Sequence, residues 1–458
     1  MATYETRRDL ADVRSPGVHV QELLDRDTRP VPPSLRDDRF EWQGCEPVDI
    51  ARYTSKAFHE LEVAHLWPRV WQMACFEQDI PEVGDHVVYE NAGASLIVIR
   101  VAPDRVKAFH NSCLHRGRML RTEGGTVGQL RCPFHAFTWD LEGNLQQIPC
   151  EWDFGHLDPS DMHLPEARVE TWEGVVFVNL SADAPSLLEH LEVVPEHFRR
   201  WPLGKRDKVA HVARVIDCNW KVGIDAFIEA FHVFASHPQL LQSVGDADTE
   251  YAIYGPNTSR FISPSAVKGS HVEGELTEQE IFEEFASYRR FEVMPQVPEG
   301  GTARKVLAEM SREEVKALTG LDLSGVTDCE VLDGIEYFIF PNFLPWGGFV
   351  SNILYRFRPY QDDPNRCIME VMFLRARADD APPAPPRPVR WLAPDEPWTN
   401  AEELGRLGAV FEQDVFNMAP VQRGLNAAVH GSIQLGNYQE ARIRHYHRRI
   451  DDYIAGRA

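Results

Sequence analysis

Two short stretches of the chain each carry one thiol and one imidazole: Cys113-Leu114-His115 and, further on, Cys132-Pro133-Phe134-His135. Together they offer two soft thiolates and two imidazoles. A set of this kind binds tetrahedral zinc, or a [2Fe–2S] centre in which two histidines replace two cysteines on one iron. Two loops of one Cys and one His suit the second chemistry, because each loop gives its sulfur to one iron and its imidazole to the other. Zinc ribbons and fingers usually pair like ligands at each end. Here both ends are mixed and the first spacing is only Cys-x-His. The flanks read as turns: Gly117 follows the first set, Pro133 lies inside the second, and Trp139 to Asn144 runs from strand into turn.

A second constellation follows Asn219-Trp220-Lys221, where a helix is predicted to start near Trp220 and stop near Pro238. Asp225, Glu229 and His232 recur on it at i, i+4 and i+7, and so share one face. Phe227, Ile228, Phe231 and Phe234 are expected to surround that face with apolar bulk. Acids and imidazoles there are costly to bury unless paired or metal-bound. His237 precedes Pro238, which disfavours helical backbone. The helix then ends or loosens at Ser236 and lets His237 swing towards the point that His232 addresses. A satisfied core histidine is the competing reading for either imidazole alone.

Two histidines and one carboxylate make the facial triad of non-haem Fe(II) sites. A long helix predicted from about Asn400 to beyond Met418 supplies the acid. Leu407, Val410, Phe411, Met418, Val421 and Leu425 form its apolar stripe, and Asp414 falls within that stripe. Glu403 and Glu412 lie off it and read as solvated.

These sites need a scaffold of ordinary globular composition. The 458 residues are 43% hydrophobic and 26% charged, which makes two domains the natural expectation. A net charge of −23 argues against nucleic acid or anionic membrane as partner. No stretch reaches the length of a membrane span, and Met1 to Arg8 has no apolar signal core. Eight scattered cysteines make no disulfide framework, so a reducing cytoplasm is expected. Neither loop holds an extra Cys that could clamp the cluster loops together.

Three regions are expected. Residues 1–44 form a polar arm over a neighbour or the chain's own catalytic part. Residues 45–180 are mostly β, with strands at Asp85–Glu90, Ser95–Val101, Val106–His110 and Trp172–Leu180. Residues 181–458 mix helices at Leu187–Trp201 and within 275–320 with strands at Val209–Asn219, Glu336–Phe340, Phe349–Phe357 and Cys367–Arg375. The proline-rich Ala381–Pro388 reads as an extended spacer.

From about 45 to 430 the chain resembles the α subunit of a Rieske non-haem iron oxygenase. The resemblance rests on the two cluster loops, on the Asn-Trp-Lys…Asp-x-x-x-Glu-x-x-His-x-x-x-x-His segment, and on Glu412-Gln413-Asp414. It implies an α+β fold: an antiparallel β Rieske [2Fe–2S] domain, then a helix-grip (Bet v1/START-like) catalytic domain in which a curved sheet wraps a long helix. Cys113, His115, Cys132 and His135 would ligate the Rieske cluster; His232, His237 and Asp414 would ligate mononuclear Fe(II). Subunits of the family form head-to-tail rings of three, and a carboxylate bridges the cluster of one to the iron of the next. By position that carboxylate is Glu229, between His135 of a neighbour and its own His232. Aromatic-ring dioxygenases usually carry Asp there. Glutamate resembles relatives that act on quaternary amines and favours a homotrimer over α₃β₃. Asp225 either supports this network or makes a helix-face salt bridge.

The implied activity is hydroxylation with O₂, as a mono- or dioxygenase, fed by NAD(P)H through a flavin reductase and, in some systems, a ferredoxin. Phe227, Phe231, Phe234, Phe338, Phe340, Phe343, Trp346 and Phe349 are candidates to line an apolar pocket. An aromatic or polycyclic substrate is the preferred class, with a quaternary amine held by cation–π attraction as the alternative. The non-oxygenase alternative is a Rieske electron-transfer protein, which would leave His232, His237 and Asp414 without a purpose.

Overall fold

The computed structural model describes residues 13–458 apart from 288, 290, 350–351 and 379–380. A seven-stranded antiparallel sheet forms the first half. Its spatial order is Gln72–Phe76, Val175–Asn179, Glu166–Trp172, Arg105–His110, Ala94–Ala102, Asp85–Asn91 and Gly125–Thr126. The strand expected at Trp172–Leu180 is split by a turn at Glu173-Gly174, where both residues take positive φ. A separate small sheet of Leu130–Arg131, Thr138–Trp139 and Leu145–Gln147 carries the second cluster loop. Ile97, Ile99, Phe109, Phe137 and Trp139 pack together beneath both loops.

The second half is built on a three-stranded sheet and a five-stranded sheet. The first orders Glu250–Ile253, Thr258–Ser263 and Gly334–Ile339; the second orders Leu344–Pro345, Ile353–Tyr360, Asp363–Ala376, Arg206–Ile216 and Arg390–Trp391. Bridges at Glu336–Trp346 and Ile339–Phe343 join the two into one curved surface. Pairing is antiparallel except at the edge strand Arg390–Trp391, which runs parallel to Arg206–Ile216.

The curved sheet grips three helices rather than one. Trp220–Asp225, Leu407–Ala427 and Ala441–Ile454 contribute Trp220, Ile224, Phe411, Met418, Tyr446 and Ile450 to a single core with sheet residues Val212, Phe357, Met369 and Val371. Gly223 allows the first helix to lie close on the sheet, since a Cβ there would fall 2.6 Å from the Phe357 ring. The helix carrying Asp414 begins at Leu407, after two short 3₁₀ turns, and not at Asn400. Its inward face is Phe411, Asp414, Val415, Met418, Gln422 and Leu425, so the expected stripe is displaced: Leu407 is 37% and Val421 48% exposed. Leu187–Trp201 is likewise broken, into Leu187–Leu191, Val194–His197 and a 3₁₀ turn, at Glu192 with φ 54°. No helix among the described residues is long and apolar enough to cross a membrane.

Residues before the first sheet belong to the second half in packing. Val48 pairs with Ile433, and Tyr53, Leu66 and Trp67 enter the helix–sheet core. A boundary at residue 45 therefore does not follow the packing there. Residues 13–44 lie on the chain's own second half: Leu24 and Leu35 are buried beside Ile335 and Leu354, and Thr28 Oγ1 donates to Asp328 Oδ1 at 2.5 Å. Residues 1–12 of the expected arm lie outside the described residues.

The Asn-Trp-Lys motif acts as an anchor. Asn219 caps the helix by accepting from the Lys221 amide at 3.0 Å. Lys221 Nζ donates to Glu62 Oε1 at 2.6 Å, and Trp220 Nε1 to Glu62 Oε2 at 3.2 Å. Both charged side chains are wholly buried. Breaking a buried pair strands the remaining charge, at about 3–5 kcal/mol. Lys221→Met should therefore lower the thermal unfolding midpoint sharply, while the double change Lys221→Met/Glu62→Gln should recover much of the loss. A single variant as stable as the double would contradict this anchoring.

Candidate functional site

Five residues along an α-helix turn the chain by about 140° beyond a full circle, so His232 and His237 cannot meet on a regular helix. The chain resolves this by leaving the helix early. The first helix ends at Asp225, residues 226–232 form turns, and only a short helical segment, Val233–Ser236, separates the two histidines. The predicted continuous helix is thus corrected, and with it the shared face of Asp225, Glu229 and His232. His237 takes φ −128° and ψ 54°, out of helical geometry ahead of Pro238. Backbone groups released by the break find side chains. Arg442 Nη1 donates to Ile228 O at 2.9 Å, and the Ala230 amide donates to Tyr251 Oη at 3.0 Å.

His232, His237 and Asp414 come together, with one ligand atom of each within 4.8 Å of the others. His237 Nε2 lies 2.7 Å and His232 Nε2 3.5 Å from Asp414 Oδ1. The opposite nitrogens are engaged elsewhere. His232 Nδ1 is 2.7 Å from Glu229 Oε1, and Glu229 Oε2 also accepts from the His232 amide at 3.0 Å. His237 Nδ1 is 2.8 Å from Gln413 Oε1, which accepts in turn from Gln239 Nε2 at 2.8 Å. A proton on each Nδ1, facing its acceptor, is the tautomer that would leave each Nε2 free to ligate a metal at the common point. Gln413 was not singled out by sequence; its place beside Asp414 was the available signal.

The electrostatics ask for a cation. Burial alone would make His232 less basic, yet Glu229 and Asp414 on either side push it up to about 10. Burial works against the Asp414 carboxylate, but the two imidazoles hold it below the usual range. Two imidazoles and the one carboxylate of Asp414 make a donor set of the kind that non-haem ferrous iron takes.

Asp225 lies elsewhere. It accepts from Tyr53 Oη at 2.8 Å and from Tyr446 Oη, and Tyr53 Oη also lies 2.7 Å from His447 Nε2. It makes neither the expected bond to the iron-side network nor the salt bridge. Burial pushes its carboxyl up to about 7 against the two tyrosine hydrogen bonds. Glu403 pairs with Arg390 at 2.9 Å, and Glu412 accepts from the Trp398 amide at 2.7 Å, so neither acid is simply solvated.

The expected aromatic pocket is also revised. Phe227, Phe338, Phe340 and Phe343 are core residues, while Trp346 and Phe349 pack partly buried against the core. Phe231 and Phe234 are 46% and 47% exposed.

The two thiol–imidazole loops share one backbone form. The Cys113 and Cys132 amides donate to Arg118 O and Phe137 O, both at 2.9 Å, and the Gly117 and Ala136 amides return to the two cysteine carbonyls. Gly117 and Ala136 take the left-handed conformation, with φ of 72° and 62°. Burial raises both thiols; at Cys132 the Phe134 and His135 amides outweigh it and favour thiolate, while Cys113 stays raised. The His115 and His135 rings lie 4.7 Å apart, and His115 stacks on Phe137 at 4.7 Å. His115 Nδ1 is buried without a hydrogen-bond partner. An orphaned imidazole nitrogen in a Cys/His loop fits a cluster ligand.

Two family descriptions match the chain: the Rieske [2Fe-2S] domain over residues 70–158, and the ring hydroxylating alpha subunit catalytic domain over residues 198–456. The alpha subunit of biphenyl 2,3-dioxygenase from Rhodococcus jostii (strain RHA1) is 32% identical over 186 residues, 39% of this chain and 40% of the relative. The oxygenase subunit of glycine betaine monooxygenase from Pseudomonas aeruginosa (strain UCBPP-PA14) is 29% identical over 198 residues, 43% and 46% of the two chains. These matches span less than half of each relative's length. In fold, naphthalene 1,2-dioxygenase from Rhodococcus sp. bound to indole gives a TM-score of 0.62 at 20% identity, covering 89% of this chain and 94% of that one. A quaternary ammonium Rieske monooxygenase in complex with L-carnitine gives 0.61 at 16% identity, covering 91% and 97%.

Asp225 generates a pH prediction. A carboxyl raised from 3.8 to about 7 on folding binds more protons in the native than in the unfolded state across that interval. Its contribution to stability is therefore intact below pH 3.8 and is lost as pH rises towards 7. Asp225→Asn should flatten the decline of the unfolding midpoint over that range. An unchanged pH slope in the variant would contradict the assignment.

Proposed function

Because the chain belongs to the ring-hydroxylating alpha subunits, with a Rieske [2Fe–2S] domain ahead of the catalytic domain, we propose that it is the terminal oxygenase of a multicomponent system. It uses O₂ and NAD(P)H-derived electrons to hydroxylate an organic substrate. A Rieske domain implies a [2Fe–2S] cluster, and the catalytic domain of this family binds mononuclear iron. The observation that carries the reading is the convergence of His232 Nε2 and His237 Nε2 on Asp414 Oδ1.

His232, His237 and Asp414 would hold ferrous iron, and Cys113, His115, Cys132 and His135 the cluster. When bound, the ferrous ion supplies reductive O₂ activation at positions left open beside three protein ligands. The surrounding residues set the conditions for it. Glu229 and Gln413 hold the protons on the two Nδ1 atoms and so keep each Nε2 available. Glu229 adds a negative charge where Gln413 adds none, which makes His232 the more electron-rich of the two. In a head-to-tail ring Glu229 would also meet His135 of a neighbouring subunit. Apolar side chains exposed near both sites support such a ring: Phe134 at 57% and Trp152 at 83% on the cluster side, Phe416 at 76% on the iron side. A homotrimer is the proposed assembly, with α₃β₃ as its variant and a flavin reductase, with or without a ferredoxin, as donor.

The proposed substrate is an apolar aromatic or polycyclic compound, in line with the biphenyl dioxygenase relative. Glu229 favours one second reading, oxidation of a quaternary amine, in line with the glycine betaine relative.

Metal, sulfide and EPR analysis of anaerobically purified protein tests the reading. The wild type should hold one mononuclear iron beyond the two of the cluster. Asp414→Ala should lose that one and keep the Rieske signal. Cluster iron alone, even after Fe(II) reconstitution, would leave an electron carrier. Product analysis then separates the substrate classes: a cis-diol or phenol supports the aromatic reading, an aldehyde with a free amine the second.

A further inference from the structure

A cleft of about 460 Å³ opens between residues 199–206, the loop 321–326 and the strand end at Ala376-Arg377. Small organic ligands occupy sites of roughly 300–1,000 Å³. None of the lining residues belongs to the iron triad or the cluster loops. Trp201, Leu321, Leu323, Val326 and Phe349 make one wall apolar. Arg199, Arg200, Lys205, Arg206 and Arg377 also line the cleft, in a chain of net charge −23.

Those cations are not equivalent. Arg200 forks onto Glu330 at 2.7 and 2.9 Å, Arg199 meets Glu196 at 2.7 Å, and Arg377 pairs with Asp207. Arg206 is only 6% exposed, and its contacts are neutral oxygens: Asn352 Oδ1 at 2.6 Å, Gly348 O at 2.7 Å and Trp346 O at 3.5 Å. Among the described residues, the nearby acids have other partners. Glu330 also accepts from Trp201 Nε1 and from the Thr327 amide and hydroxyl. Asp207 also accepts from the Ala384 amide. Asp322, on the cleft wall, is exposed and accepts from the Ser324 amide at 3.0 Å.

A guanidinium taken out of water with only neutral acceptors carries an uncompensated charge. Burial accordingly draws Arg206 down to about 10. Three of the five N–H donors of a guanidinium are used, which leaves two for a ligand. Ala376 faces Arg206 directly across the strand pair, so only a methyl group stands beside it at the cleft.

We propose that this cleft is a second ligand site, for an amphipathic organic monoanion. Its carboxylate would lie against Arg206 and its aromatic or alicyclic body along Leu321 and Phe349, the partly exposed apolar residues of the lining. The pairing of guanidinium with carboxylate would supply a counter-charge that Arg206 lacks among the described residues. The proposal stands apart from the oxygenase reading, since it uses no residue of either metal site.

Calorimetric titration of the full chain with 1-naphthoate and with neutral 1-naphthamide tests it, in wild type, Arg206→Gln and Gly325→Phe. Gly325 lines the cleft and a Cβ there meets nothing within 4 Å, so phenylalanine adds bulk at the cleft without displacing the core. The expected result is a naphthoate-binding component that the amide lacks and that both variants weaken at least about ten-fold. Should Arg206→Gln fail to fold, Gly325→Phe decides. The proposal is overturned by absence of naphthoate binding, by equal binding of the amide, or by an isotherm that Gly325→Phe leaves unchanged.

Discussion

The geometry of the iron-side residues rests on one break in one helix. Histidines five positions apart diverge on a regular α-helix, and only by ending that helix at Asp225 can His232 and His237 address a common point. Opening buried helical backbone is costly unless each freed group finds a partner. The fold provides partners from the far end of the chain. Arg442, fully buried on the C-terminal helix, takes the Ile228 carbonyl while binding Glu336 at 3.1 Å and Ser259 Oγ at 3.0 Å. Tyr251 takes the Ala230 amide and donates to Gln439 at 3.2 Å. Sheet and C-terminal helix thus hold open the segment that carries the site.

Asp225 and Glu229 show how environment divides labour between similar groups four residues apart. Asp225, still helical, accepts from two tyrosine hydroxyls, and burial favours its neutral form despite the opposing pull of Lys221. Glu229, past the break, holds both the amide and Nδ1 of His232. With Asp414 it surrounds the imidazole with negative charge. The first group ties core tyrosines together; the second holds the imidazole of a candidate metal ligand.

Glu370 ties the two halves of the molecule. Its buried carboxylate is shared by Arg356 at 2.6 Å, Arg358 at 3.0 Å and His211 at 3.1 Å. Arg356 reaches on to the Met73 and Ala74 carbonyls at 3.0 and 2.6 Å, and Arg358 to Glu90 O. Catalytic-domain strands are therefore pinned to the backbone of the cluster-bearing sheet by directional, charge-assisted bonds. That is a stiffer joint than apolar packing alone would give.

Ligand chemistry was legible in the residues because it depends on side-chain type and short spacing. Two Cys/His loops point to a mixed-ligand cluster, and an acid within an apolar helical stripe singles out Asp414 as a candidate ligand. Most strands followed from patterns equally local, and the family and its α+β class from the resemblance that the motifs carry. Tertiary structure alone decided that the helix ends at Asp225, that Asp225 serves two tyrosines, that Gln413 orients His237, and that the candidate pocket aromatics are largely core. Each of these depends on residues far apart in sequence, such as Arg442 beside Ile228 or Tyr446 beside Asp225. Local spacing specifies which groups lie near one another only while the backbone stays regular. Where burial and distant partners make a break cheaper than continuity, only the packed structure says which way each side chain turns.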